Sequence, residues 1–418
     1  MNAGVLLLVL MLALAFCGVP IFNAIGIATL VALLKGGFPE VIVVQKLFTG
    51  MDSTALLAIP FFMLAGNLMA NGISQKLINV CNSLIGWVKG SLAAVAVVSS
   101  AFFGSVSGSA VATCSAIGGI VMPAMKKEGY GAETTAAFLS ASSILGMLIP
   151  PATTLIVYGA AAEISIAKLF KSALFPGIGM TLIYVIYVIV YAHRHNLPSK
   201  PRCTPRQIGA AVKDGIWALL MPILVLGSIF GGICTATESA ALAVVYSAIV
   251  GMFIYKQVTL KKLFLMTKDA AITTAAVMVL VGFSKASSWV ITSSKLPTLL
   301  TAFISSFANT EFMVMLFINI LLLLVGMIME SCAAVVMLTP LILPLAVSVG
   351  VDPVHFGVVM SFNLCIGLLT PPVGNCLMLG YSMCGADFVG TLKKILPMIL
   401  LAVVVLMLIT YIPALCLL

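Results

Sequence analysis

Between positions 99 and 160 one apolar stretch is interrupted twice, first by Gly104-Ser105-Val106-Ser107-Gly108-Ser109 and then by Pro150-Pro151. Lipid offers no partners for freed backbone groups. Irregular backbone at membrane depth therefore survives only where protein buries it or where it lines a watery cavity. The pattern returns at an offset of 221: Pro123 falls on Pro344, Gly146 on Gly367, Pro150-Pro151 on Pro371-Pro372, Gly159 on Gly380 and Pro176 on Pro397. Gly104 falls on Gly326 with a one-residue slip. Paired interrupted segments in two halves of a membrane chain point to the substrate site of a transporter.

The composition supports a membrane interior. Of 418 residues 62% are hydrophobic and 8% charged, with a mean hydropathy of +1.24; a soluble chain carries about 25% charged residues. Apolar runs of about 20 residues recur, the length a helix needs to cross the hydrocarbon core. The expected fold is an all-α polytopic membrane protein. The net charge of +9 sits in short loops, as topology signals do, and does not indicate nucleic-acid binding. Ten cysteines without CxxC spacing read as small buried hydrophobes. Val5–Phe16 lacks the basic segment that precedes a signal core and reads as a retained helix.

Two inverted repeats are expected, residues 1–191 and 214–418, joined by the basic linker 192–213 (Arg194, Lys200, Arg202, Arg206, Lys213). Each half has about five crossings, one re-entrant hairpin and one broken helix. The hairpins fall at about 90–127 and 311–349, the broken helices at about 132–161 and 354–384. An odd number of crossings inverts the second half. A cytoplasmic linker also places Lys126-Lys127, Lys256–Lys268 and Lys393-Lys394 inside, which satisfies the positive-inside rule and puts both termini in the periplasm. Residues 73–89, with Trp87 and Lys89, read as an amphipathic helix along the membrane surface. Their counterpart is expected at about 287–306, with Trp289, Lys295 and Pro297.

Proline has no N–H for the carbonyl four residues back. Pro150 and Pro151 are thus expected to orphan the carbonyls of Gly146 and Met147, and Pro371 and Pro372 those of Gly367 and Leu368. Bare buried acceptors cost about 1–3 kcal/mol each, and a small hard cation is a natural partner. Gly104, Ser105, Ser107 and Gly108 add oxygens at the first tip, and Gly326, Glu330 and Thr370 at the second. The first tip has no carboxylate or histidine, which favours Na⁺ over a proton relay. The half-helices after each break aim about half a positive charge at the centre, which suits an anionic solute. Ser109, Pro150, Pro151, Thr153, Thr154, Pro371, Pro372 and Asn375 are the candidate substrate contacts.

Glu238, beside Thr235 and Thr237, and Asp52, before Ser53-Thr54, read as helix caps. Glu330 is balanced between an ion or substrate contact and a cap. Lys285 reads as a snorkelling lysine, and His193, His195 and His355 receive no role. An intramembrane enzyme would need a nucleophile and base at facing depths, and the sequence offers no such pair.

Phe103-Gly-Ser-Val-Ser-Gly-Ser-Ala-Val-Ala-Thr113, Pro123-Ala-Met-Lys-Lys-Glu-Gly-Tyr130, Ile149-Pro-Pro151 with Tyr158-Gly159, and Ile59-Pro-Phe-Phe-Met-Leu-Ala-Gly-Asn67 resemble the large membrane (M) subunit of TRAP transporters, the tripartite ATP-independent periplasmic transporters. A Ser usually follows the first Pro-Pro in that family; Ala152 stands there in this chain. The resemblance implies residence in the bacterial inner membrane and Na⁺-driven import of a carboxylate solute of the sialic acid or C4-dicarboxylate class. It also implies delivery by a periplasmic substrate-binding (P) protein and, because the chain opens directly on the large subunit, a separate small four-helix (Q) subunit. An elevator mechanism is implied as well, with a transport core at about 90–161 and 311–384 and a scaffold at about 1–89, 169–310 and 389–418. The alternative is a stand-alone Na⁺/dicarboxylate symporter that needs no binding protein.

Overall fold

The computed structural model describes residues 2–39, 41–71, 73–197, 199, 201–296, 298–299 and 310–416. In these residues the chain is helical, with no strand. It runs through α1 (Ala3–Phe16), α2 (Ile21–Gly36), α3 (Val41–Met51), α4 (Ala58–Ala70) and α5 (Ser74–Ile85). Hairpin 1 follows as α6 (Ser91–Ser107) and α7 (Ala110–Lys127), then a broken helix as α8 (Ala132–Ser143), α9 (Leu145–Leu148) and α10 (Thr153–Ala162), then α11 (Ile166–Arg194). Next come α12 (Pro205–Phe230), α13 (Ala236–Ile249) and α14 (Leu260–Ser293). Hairpin 2 is α15 (Glu311–Gly326) with α16 (Ser331–Ser348); α17 (Pro353–Gly367) and α18 (Asn375–Cys384) form the second broken helix, and α19 (Phe388–Tyr411) closes the chain. The order from α6 to α11 thus recurs from α15 to α19. Among the described residues seven helices are long and apolar enough to cross a membrane, and α3 with α4 form a further candidate bent by 55°.

Burial separates two blocks. Over their most apolar windows, the first broken helix is 89% buried and α16 is 72% buried, against 28% for both α12 and α14. The enclosed helices are rich in Ala, Ser and Gly, which let backbones approach, whereas α12–α14 turn side chains such as Ile223, Val245 and Ile272 outward, as lipid-facing helices do. The core block comprises α6–α11 and α15–α19. The front block comprises α1–α5 and α12–α14 and meets the core through α4 and α5 on α6 and through α14 on α16. The closing helices α11 and α19 pack on α6, α8 and α17, and Tyr184 and His355 donate to the α19 carbonyls of Met398 and Ile409. By contact, 169–191 and 389–411 group with the core block.

Helix α5 bears out the amphipathic pattern of its stretch. Leu77, Ile78 and Cys81 are buried, and Lys76 pairs with Asp214 of α12 at 2.7 Å. The expected counterpart at 287–306 differs. Residues 287–293 are the end of α14, a 34-residue helix; Pro297 and 300–309 lie outside the described residues. Trp289, one of the residues that suggested a surface face, packs edge-on against Phe38 with ring centroids 5.2 Å apart. Ser284 donates to the Val336 carbonyl, and Ser287 bonds Thr29 at 2.6 Å.

Candidate functional site

At the first break α6 ends at Ser107, and Gly108 takes a left-handed conformation with φ +61°. A side chain there would also run into the Pro151 carbonyl, so glycine lets the tip lie on the Pro-Pro segment. Ser109 caps α7, accepting from the Ala112 N–H. The Thr153 N–H and hydroxyl both donate to the Gly108 carbonyl, at 3.2 and 3.0 Å, which fastens hairpin tip to half-helix. The Thr113 hydroxyl donates to the Ser109 carbonyl at 2.7 Å and meets Ser107 at 3.3 Å, while Ser105 donates back to Phe102. Gly104 and Gly146 sit backbone against backbone. Among the described residues, no hydrogen bond reaches the carbonyls of Gly146 or Met147. The prolines that follow have no N–H to offer.

The second break is built differently. Its tip is joined to the half-helix segment through Val373 N–H to Met327 O at 3.2 Å, the counterpart of the Thr153–Gly108 bond. The two carbonyls expected to be orphaned are both satisfied. Gly367 O accepts the Thr370 N–H at 3.1 Å and its hydroxyl at 3.0 Å. Leu368 O accepts the N–H groups of Cys376 and Leu377 at 3.1 and 3.4 Å. For Leu368 the reason lies in the residues after each Pro-Pro; for Gly367 it lies in Thr370, just before the second. Ala152 is extended and leads α10 away. Gly374 is left-handed, φ +42°, and folds the first turn of α18 back beneath the end of α17. The Pro150–Pro151 and Pro371–Pro372 peptides are both cis. Pro150 and Pro151 are buried, whereas Pro371 is half-buried and Pro372 exposed.

Between the blocks lies a cavity of about 540 Å³. From the core it is lined by Ser109, Ala112, Met147, Thr153, Glu330 and Cys332, and from the front by Ile59, Met63, Asn67, Thr273 and Val277, among others. The N-termini of α7, α10 and α16 converge on it, and the aligned peptide dipoles there favour an anion. Glu330 caps α16 through Ala333 N–H at 2.9 Å and is the one charged side chain among the lining residues. Of the predicted contacts, Ser109, Met147, Thr153 and Glu330 meet at this cavity. Pro150, Pro151, Thr154, Pro371, Pro372 and Asn375 are not among its lining residues, and Thr154 is fully buried with its hydroxyl unpartnered. Sequence reasoning missed Asn67, Thr273 and Cys332. A polar residue inside an apolar run is the only signal the first two carried.

Other expectations resolve locally. Glu238 closes a capping box with Thr235, accepting its N–H at 2.8 Å. Asp52 is not a cap. Ser53 precedes the turn Thr54–Leu57 with no side-chain bond, because Asp52 stands one residue too early to reach its N–H groups. Lys285 meets Glu163 at 3.4 Å. Among the described residues no three His, Cys, Asp or Glu side chains converge as metal ligands.

Residues 5–415 match the family described as the DctM component of the tripartite ATP-independent periplasmic transporter. The chain is 40% identical to the uncharacterized protein YgiK of Salmonella typhimurium, over 96% of this chain and 93% of that one. It is 35% identical to the C4-dicarboxylate TRAP transporter large permease protein DctM of Pseudomonas aeruginosa, covering 88% and 87%. Identity is 32% to the sialic acid TRAP transporter large permease protein SiaM of Vibrio cholerae, covering 96% and 95%. The YdaH transporter of Alcanivorax borkumensis has a similar fold, with TM-score 0.61 at 16% identity over 88% of this chain and 86% of that chain.

Proposed function

The chain belongs to the DctM-component family of tripartite ATP-independent periplasmic transporters, and from that premise we propose that it imports a small carboxylate solute coupled to Na⁺. It is a multi-pass membrane permease, and the family is not an enzyme family. The name tripartite implies a small membrane subunit and a periplasmic binding protein beside it. Relatives named for C4-dicarboxylate and sialic acid support a carboxylate of either class as the solute.

The observation that carries the reading is the pair of open carbonyls at Gly146 and Met147, beside a cavity onto which three helix N-termini converge. Buried acceptors without donors suit a small hard cation, and the Ser105 and Ser107 hydroxyls stand at the facing tip. Bound Na⁺ supplies positive charge next to the incoming carboxylate. At the second break Gly326, Gly367, Leu368, Thr370 and Glu330 serve as a site only after the Thr370 and Cys376 bonds open, so that site is the weaker of the two. The core block carries the solute as an elevator against the front block, with the halves inverted and both termini periplasmic. Helix α14 leans on α16 across the gap.

Uptake into proteoliposomes tests this. With the small subunit and the binding protein present, labelled succinate or N-acetylneuraminate should accumulate on a Na⁺ gradient and not on a K⁺ gradient. Accumulation independent of Na⁺ refutes the coupling. Full uptake by this chain alone favours a stand-alone symporter.

A further inference from the structure

Pro340 stands inside α16 and leaves the Val336 carbonyl, one turn earlier, without its intrahelical donor. The donor comes from the other block: the Ser284 hydroxyl of α14 bonds the Val336 carbonyl at 2.8 Å, fully buried. The next residue, Lys285, reaches Glu163 at 3.4 Å. Glu163 is the C-cap of α10 and holds a left-handed conformation, φ +58°. Ser284, Lys285, Ala161, Val336 and Pro340 line one small crevice between the blocks. These two adjacent residues of α14 both supply side-chain hydrogen bonds from front to core.

We propose that Ser284 and Lys285 are positioning residues for the transport step: they dock the core block on α14 and set how much of the protein occupies the arrangement seen here. The inference rests on the moving-core reading above. Ser284 answers a vacancy that Pro340 creates, so a core that slides along α14 leaves Val336 bare until it finds another donor. A buried acceptor of this kind costs enough to bias a two-state equilibrium. The lysine adds a weaker, solvent-screened contact, since the Glu163 side chain is 83% exposed.

Two repair pairs test the assignment in the full chain with its membrane partner. Pro340→Ala restores an N–H for Val336 and should remove the need for Ser284. Lys285→Glu with Glu163→Lys restores the ion pair in reverse. Spin labels at Val190→Cys in the core and Val245→Cys in the front block, both on exposed positions, report the block-to-block distance by pulsed EPR. Accessible Cys17, Cys203 and Cys234 are first replaced by Ser. Ser284→Ala should shift the ratio of the two distance populations by roughly threefold to tenfold, with Pro340→Ala returning it towards the parent. Lys285→Glu should shift it by about twofold to fivefold, reversed by Glu163→Lys. Unchanged populations in the single variants, or single variants that lower only thermal stability, overturn the docking role. Failure of either repair overturns it for that residue. Na⁺-dependent uptake that persists in all variants leaves the proposed function standing whatever the distances show.

Discussion

The two breaks share a Pro-Pro, a cis peptide and a backbone tie to a hairpin tip, yet one leaves two carbonyls open and the other closes both. The first is buried in the core, with Ala152 extended beyond it; the second is half exposed, with Gly374 turning the chain back. A repeated motif thus fixes where donors are missing, and the residues beside it decide whether others take their place. The open carbonyls of the first break are the proposed ion ligands, and the paired carbonyls of the second are their internal control.

The sharpest way to break the comparison is to press on the glycine contacts. A side chain at Gly104 would strike the Gly146 backbone, whereas one at the related Gly326 meets its nearest atoms at 3.4 Å. Gly104→Ala should cost about 1–3 kcal/mol and abolish uptake; Gly326→Ala should stay within about 1 kcal/mol of the parent. Thermal unfolding of the purified protein reads the difference, and equal effects would mean that the first hairpin is no more tightly seated.

Proline replacement comes next. Pro150→Ala with Pro151→Ala supplies N–H groups to Gly146 and Met147. A ligand at a hundredfold its Kd stabilises by about 2.7 kcal/mol, and most of any Na⁺-induced stabilisation should vanish in this variant. The Pro371→Ala and Pro372→Ala double variant should keep the larger part, since its carbonyls are already paired. The same loss in both would place the ion elsewhere.

Smaller effects refine the picture at the caps. Glu330→Ala removes a 2.9 Å cap from α16 and should cost about 0.5–2 kcal/mol. Ser109→Ala should cost less, because its bond to Ala112 is 3.4 Å. Chemical denaturation that ranks them the other way would assign Ser109 a larger structural share than its geometry shows. Smallest is Thr370→Val. It deletes one donor to Gly367 while the Thr370 N–H remains, a change of about 0.5–1.5 kcal/mol, and a larger loss would show the hydroxyl to be the main tie.

Much of this was legible before the structure. The helical membrane class, the repeated element order, the hairpin tips and the Glu238 cap follow from apolar run length, Gly/Pro spacing and cap chemistry. Of the surface helix expected at 287–306, residues 287–293 form the end of α14, and Pro297 and 300–309 lie outside the described residues. A polar residue such as Ser287 reads the same whether it faces water or another helix, and here it meets Thr29. Asn67, Thr273 and Cys332 could not be gathered into one cavity, because nothing local aligns α4, α14 and α16.

By itself the sequence determined where backbone donors are missing, since a missing proline N–H is a covalent fact that no packing reverses. Only the tertiary structure decided which freed carbonyls stay open, because Cys376 and Leu377 reach Leu368 through a turn at Gly374 while Thr370 reaches Gly367 from just before the prolines. It also decided that α11 and α19 pack on the core block. That grouping depends on contacts between helices far apart in the chain, which run length and spacing do not encode.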